Sequence, residues 1–288
     1  IYGPFDSNND AQVVAITQNF EYRATLKTGR TGGLPYVGTG WYRLDFDVND
    51  FEPGKKVELL FDGAMSYSKV YVNGQFVGEW PYGYNSFIVD ATPYMKAGDV
   101  NQIAVRLENY NESSRWYPGA GLYRNVHLVV TKDAYIPDWG TYVYTTKLGD
   151  SYAWIESNVE FAFPKNKQFA DYRIINEIFD PNGMMVLSDS KAGTTYDDKM
   201  FRMKSLVENP QLWTPETPNL YTLVSKVYEG ETLVDEVETV FGIRTIEIRP
   251  DEGFFLNGRK TMFKGVCNHH DLGPLGAIAN EAGIRRQV

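Results

Sequence analysis

Between Trp41 and Val48 the chain alternates strictly. Tyr42, Leu44, Phe46 and Val48 fall on one parity and Arg43, Asp45 and Asp47 on the other. Successive side chains of an extended strand point to opposite faces, so the pattern predicts a strand with one wet face. Val57, Leu59 and Phe61 repeat it, followed by Phe87 and Val89, then Ile103, Val105 and Leu107, then Leu122, Arg124, Val126, Leu128 and Val130. Short, evenly spaced strands separated by turn residues predict a sandwich or jelly roll. A proline near Ala134-Tyr135-Ile136-Pro137 marks a boundary at about residue 133, and a second set of strands follows. Ala153, Ile155, Val159, Phe161 and Phe163 share one parity; Tyr221, Leu223 and Val227, then Leu233, Val237 and Val240, continue the set. The second region has the size and patterning of an immunoglobulin-like sandwich.

Turn chemistry sharpens this outline. Asn73-Gly74 sits inside the apolar run Val70 to Val77, and Asn257-Gly258 separates Phe254-Phe255-Leu256 from Thr261-Met262-Phe263. Both residues of such a pair tolerate positive φ, so each predicts a two-residue hairpin. Asp180-Pro181-Asn182-Gly183 is a further turn. Helical periodicity occurs only in Ala277 to Val288.

Composition narrows the function classes. The 288 residues carry a formal net charge of −9, which argues against a nucleic-acid partner, since phosphate binding needs clustered basic surface. No apolar run approaches the ~20 residues that span a bilayer, so no membrane association is expected. Cys267 is the single cysteine, which leaves no internal disulfide. Cysteine usage is equally compatible with a bacterial cytoplasm and a Gram-negative periplasm. Aromatic residues make up 15% of the chain, suiting half-buried strands and leaving rings free to stack on sugars. No phosphate loop, nucleotide fingerprint or Ser-His-Asp order is visible, and no cofactor is expected.

Five segments carry a family resemblance: GWYRLDF at Gly40 to Phe46, VYVNGQFVG at Val70 to Gly78, RWYPGAGLYRNVHL at Arg115 to Leu128, LWTPETPNLYTL at Leu212 to Leu223 and FGIRTIEI at Phe241 to Ile248. A sixth, Gly253 to Gly276, matches in Phe255, Leu256, Asn257, Gly258, Gly265, Val266, His269, Leu275 and Gly276. Together, in this order, they resemble glycoside hydrolase family 2, the β-galactosidase, β-glucuronidase and β-mannosidase family. The resemblance implies an all-β chain: a galactose-binding-like jelly roll over residues 1–133, an immunoglobulin-like sandwich over 134–248, and the start of a catalytic TIM barrel over 249–288. It also implies that Ile1 to Phe5 follow an initial jelly-roll strand that the chain lacks. A barrel needs about 250 residues, and only about forty follow Ile248, so the catalytic domain is expected to be missing.

The resemblance places the chemistry as well. The family hydrolyses β-glycosides with two glutamates on later barrel strands, and neither has a counterpart here; the chain alone is expected to be inactive. His269 matches a histidine that faces the sugar, where an imidazole can exchange hydrogen bonds with a hydroxyl. Its alternative is a strand-end cap. Departures at Cys267, Asn268 and His270, where many members have Asn, Arg and Glu, leave those positions without an assigned contact. Arg115 and Trp116, in a loop rich in Asn, Ser, Gly and Pro, are candidate substrate contacts by bidentate hydrogen bonding and stacking, or else seat the loop against a neighbouring domain. Cys267 and His269 are too few for a metal, so a buried thiol and no metal site are expected. A homo-oligomer is possible for the parent. The rival reading is a stand-alone carbohydrate-binding sandwich, motivated by Trp41 on the polar parity of its strand. Apolar surface is expected to be exposed from Phe254 to Val266, where barrel packing would be lost.

Overall fold

The computed structural model describes residues 38–47, 54–110, 120–195, 199–267, 272 and 278–288. Two compact units emerge, one from the described residues of Ile1–Val130 and Cys267–Val288, the other from those of Thr131–Val266.

In the first unit, β1 (Thr39–Asp47), β6 (Val100–Glu108), β3 (Ser68–Val72) and β4 (Gln75–Trp80) form one sheet in the order β1-β6-β3-β4. A second sheet holds β5 (Phe87–Asp90), β2 (Lys56–Phe61) and β7 (Val126–Thr131) in the order β5-β2-β7. Every second residue of β2 and β3 faces inward, so Val57, Leu59, Phe61, Val70 and Val72 meet Phe87, Val89, Val105 and Leu107 in one buried cluster. Phe61 and Phe87 stack at 4.7 Å within it. The Asn73-Gly74 turn has φ of 51° and 79°, as a two-residue hairpin requires. Its asparagine also binds tertiary partners: the Asn73 side chain donates to the Tyr94 carbonyl and to Oδ1 of buried Asn101, and accepts from the Gln102 amide.

Two expectations shift here. Leu44 shares the core parity but is exposed; β1 is the outermost strand of its sheet among the described residues. The alternating run from Leu122 becomes a strand only at Val126. Before it, Gly121 (φ 99°) pairs with Met65 through two backbone bonds of 3.0 and 2.9 Å, an isolated bridge outside the named strands. Val126, Leu128 and Val130 are exposed.

The second unit opposes the sheet β11-β10-β13-β14 (Met185–Ala192, Tyr172–Phe179, Tyr221–Glu229, Thr232–Phe241) to the sheet β12-β9-β8 (Met200–Glu208, Tyr152–Glu160, Thr141–Leu148). Its interior is apolar at both ends and polar in the middle. Phe161, Tyr172, Ile174, Phe201 and Val227 gather in one cluster; Ile155, Ile178, Val207, Leu223 and Phe241 gather in another. At the inward position between them four strands carry a polar residue: Ser157 on β9, Asn176 on β10, Ser205 on β12 and Ser225 on β13. Asn176 Nδ2 donates to Ser157 Oγ at 3.0 Å, joining the two sheets across this layer. Tyr221, at the start of β13, accepts the Gln211 amide on its hydroxyl at 2.9 Å, the tyrosine-corner arrangement of immunoglobulin-like sandwiches. The unit is an all-β sandwich of the expected type.

A small sheet follows: β15 (Ile246–Arg249), β16 (Gly253–Leu256) and β17 (Arg259–Lys260). The turn at Asn257 and Gly258 has φ of 49° and 75°. Asn257 Oδ1 accepts the Thr245 amide at 2.9 Å and its Nδ2 donates to the Trp213 carbonyl at 3.1 Å, latching the hairpin to the sandwich. Arg244 lies over the Trp213 ring at 4.5 Å. The apolar residues therefore divide. Phe255 and Leu256, expected to be exposed, are buried by this docking, whereas Met262, Phe263 and Val266 are exposed, Val266 at 92%. The strand expected over Thr261 to Phe263 ends at Lys260, with one further bond from the Thr261 amide to the Phe254 carbonyl.

Beyond it, α1 (Glu281–Gln287) begins where Asn280 accepts the Gly283 amide on its side chain. The predicted helix is thus present in its second half. No helix among the described residues is long and apolar enough to cross a membrane.

Candidate functional site

Arg115, Trp116 and His269, the three residues expected to contact substrate, lie outside the described residues, as do Ile1 to Phe5, Asn268 and His270. The structure does define the mounts on either side of them. Before the Arg115 segment, the Asn109 amide donates to Gly38 at 2.9 Å and the Glu108 amide donates to Ser66 at 2.9 Å. After it, Gly121 is pinned to Met65. The described residues on either side of the segment therefore lie at one end of the first unit.

Among the described residues, that end carries rings and one carboxylate. Tyr67 and Tyr110 meet edge to face at 4.8 Å, and Tyr82 and Tyr84 do so at 5.5 Å. Tyr123 donates its hydroxyl to the Gly83 carbonyl at 2.8 Å. Burial pushes the phenols of Tyr84 and Tyr123 above their ordinary value, so both remain neutral donors. Glu108 accepts from the Tyr110 hydroxyl and from Arg106, and these bonds hold its carboxyl below the usual range. A carboxylate kept ionised in this way is an acceptor. It is poorly suited to donating a proton at neutral pH. The chemistry available here is recognition of hydroxyl-bearing ligands by stacking and hydrogen bonding.

Within the first unit the Ala279 amide donates to the Tyr123 carbonyl at 2.9 Å. Leu272 sits within reach of Gly283 on α1. Cys267 corrects an expectation: its thiol is free and exposed rather than buried, because the last ladder bond is at Thr261 and Val266 beside it is uncovered. Among the described residues no three His, Cys, Asp or Glu side chains gather as a metal set. His127 faces solvent with its Nε2 3.1 Å from Asp62 Oδ2, and Arg124 is exposed.

Sequence reasoning overlooked Glu108 and its tyrosines. The signal was available in RLENYN, where charged and aromatic residues run directly into the Asn- and Ser-rich loop.

Comparison with known proteins is consistent along the chain. Residues 4–132 match the family model for the glycosyl hydrolases family 2 sugar binding domain, and residues 134–244 match the glycosyl hydrolases family 2 model. A β-galactosidase of Bacteroides ovatus is 37% identical over 292 residues, a span covering 99% of this chain and 34% of that protein. A putative β-glucuronidase of Formosa agariphila is 34% identical over 260 residues, covering 89% of this chain and 24% of that one. Among solved structures, a glycosyl hydrolase family 2 member from Bacteroides cellulosilyticus superposes with a TM-score of 0.81 at 33% identity, over 89% of this chain and 33% of its own. The chain thus spans about a third of the length of these relatives, or less. With two consecutive family models covering most of it and the same architecture in a solved member, this chain belongs to glycosyl hydrolase family 2.

Proposed function

We propose that the chain is the amino-terminal, accessory portion of a retaining glycoside hydrolase acting on β-galactosides or related β-glycosides. We divide it into a jelly roll over residues 1–133, an immunoglobulin-like sandwich over 134–248 and the entry to a catalytic barrel over 249–288. The observation that carries this reading is coverage: relatives named as β-galactosidase and β-glucuronidase match along almost the whole chain, yet only about a third or less of their length is matched. The exposed side chains of Met262, Phe263 and Val266 support it, since a barrel strand entering its sheet would present such residues for burial.

A retaining glycosidase needs two carboxyl groups about 5–5.5 Å apart, one as nucleophile and one as acid then base. In this reading both belong to the unmatched part of the relatives, and the present chain holds no catalytic residue. His269 would exchange hydrogen bonds with a sugar hydroxyl, and Arg115 and Trp116 would border the sugar from the loop mounted between Asn109 and Gly121.

A chimaera tests this. The chain replaces the matched portion of the Bacteroides ovatus β-galactosidase, and aryl β-galactoside and β-glucuronide turnover is measured for the chimaera and for the chain alone. The chimaera turns over at least one substrate, the chain alone turns over neither, and His269→Ala raises KM in the chimaera. Turnover by the chain alone, or a folded chimaera with none, overturns the reading.

A further inference from the structure

Asn-Gly occurs at Asn73-Gly74, Asn182-Gly183 and Asn257-Gly258, and each pair sits at a hairpin turn. Asparagine is among the thermolabile residues. Its side-chain carbonyl carbon can reach the next backbone nitrogen, and a following glycine, having no β-carbon, leaves that approach open. By sequence the pairs are equivalent. The fold separates them.

Asn73 and Asn257 are half-buried and held by distant parts of the chain. The Asn73 side chain bonds to Tyr94, Asn101 and Gln102, and that of Asn257 bonds to Thr245 and Trp213. Turning either carboxamide onto its own main chain breaks these bonds. Asn182, between β10 and β11, is exposed. Among the described residues its carboxamide meets only Asp180, with Nδ2 donating to Oδ2 at 3.2 Å. The remaining bonds of the turn are local as well: Asp180 Oδ1 accepts the Asn182 amide at 2.8 Å and the Met184 amide at 2.9 Å, and the Gly183 amide donates to the Asp180 carbonyl at 2.9 Å. That last bond occupies the nitrogen that has to attack, so the tip must open first. Gly183 and Met184 are exposed, and opening at such a tip uncovers no core residue.

We propose that Asn182 is a self-modification site, at which the folded chain converts its own asparagine to aspartate and isoaspartate with water as co-reactant. The Gly183 nitrogen gives its proton to solvent and bonds to Cγ of Asn182; the Cγ–Nδ2 bond breaks, and ammonia leaves with a proton taken from water. A five-membered imide results. Water opens it at Cγ to give aspartate, or at the main-chain carbonyl to give isoaspartate, whose backbone runs through Cγ. Either product replaces an amide donor beside Asp180 with a carboxylate. Isoaspartate also adds a methylene to the main chain, which carries the Gly183 and Met184 amides away from Asp180 and loosens the turn that starts β11. The inference rests on this turn and does not depend on the glycosidase reading.

Ageing the full chain in mildly alkaline buffer, followed by peptide mapping with mass spectrometry, tests the proposal. In the folded chain Asn182 converts about tenfold or more faster than Asn73 and Asn257, the factor expected when two or more tertiary side-chain bonds must first be broken. In concentrated urea the three rates converge. Isoaspartate in the aged folded chain is counted by methyl transfer from S-adenosylmethionine with an isoaspartyl methyltransferase. Asn182→Gln, whose longer side chain closes the ring far less readily, loses most of that signal while remaining folded. Conversion of Asn73 or Asn257 as fast as that of Asn182 in the folded chain overturns the proposal. So does a tenfold separation that persists in urea, an Asn182 that stays intact in the folded chain while it converts in urea, or an undiminished isoaspartate signal in Asn182→Gln.

Discussion

Replacing Asn257 with alanine removes both side-chain bonds of the hairpin latch and leaves a β-carbon at φ 49°. Each bond contributes about 0.5–1.5 kcal/mol, so their loss costs about 2 kcal/mol. The left-handed backbone adds about 1 kcal/mol more for alanine, since asparagine visits that region at lower cost. The sum is about 3 kcal/mol for local opening of the hairpin, or roughly a hundredfold faster exchange of amides that exchange by that opening. Two companion variants separate the contributions. Asn257→Gly keeps the backbone conformation and loses both bonds, so it falls near 2 kcal/mol; Asn257→Asp still accepts from Thr245 and loses only the donor to Trp213, near 1 kcal/mol. Hydrogen exchange of the β15–β16 ladder amides, read by mass spectrometry, orders the series Ala, Gly, Asp from fastest to slowest. Protection in Asn257→Ala within threefold of the unmodified chain would refute the latch.

Gly193→Ala places a β-carbon 2.1 Å from the Phe169 carbonyl oxygen, which is backbone and has little freedom to move aside. The strain lowers stability of the second unit by about 1–3 kcal/mol; an unchanged urea midpoint contradicts it. The Asp180 carboxyl is held below its usual 3.8 by the Met184 amide first and by Asn182. Its stabilising contribution is complete above about 3.8 and disappears as pH falls through the lower folded-state value. Asp180→Asn therefore lowers the urea midpoint at pH 7, and the gap to the unmodified chain narrows under strongly acidic conditions. A gap that is constant with pH would rule this out.

What could be read from the sequence was whatever depends on neighbours along the chain. The period-two runs at Val57 to Phe61 and Ala153 to Val159 became half-buried strands because one face of each meets a core. The Asn-Gly pairs became hairpins because their conformational freedom is local. Long-range partners were invisible. Nothing near Asn257 announces Trp213, 44 positions away, so the burial of Phe255 and Leu256 was misjudged. Nothing near Gly121 announces Met65, so β7 was begun too early. Cys267 was judged by the habits of its residue type, and the absence of packing beside Val266 decided otherwise. At the candidate site the motifs nominated Arg115, Trp116 and His269, while Glu108 escaped because its role arises from Arg106 and Tyr110 closing around it.

The polar layer inside the second unit works as an alignment mark. Asn176 stands opposite Ser225, with Val227 and Leu223 two places away on either side. Sliding β10 by two residues preserves the inside-outside alternation of every side chain, so hydrophobicity alone barely penalises that error. The asparagine does: it would arrive among apolar side chains and lose Ser157, at about 1–3 kcal/mol for a stranded amide. A core of leucine and valine throughout would bury more oil and know less about where its strands belong.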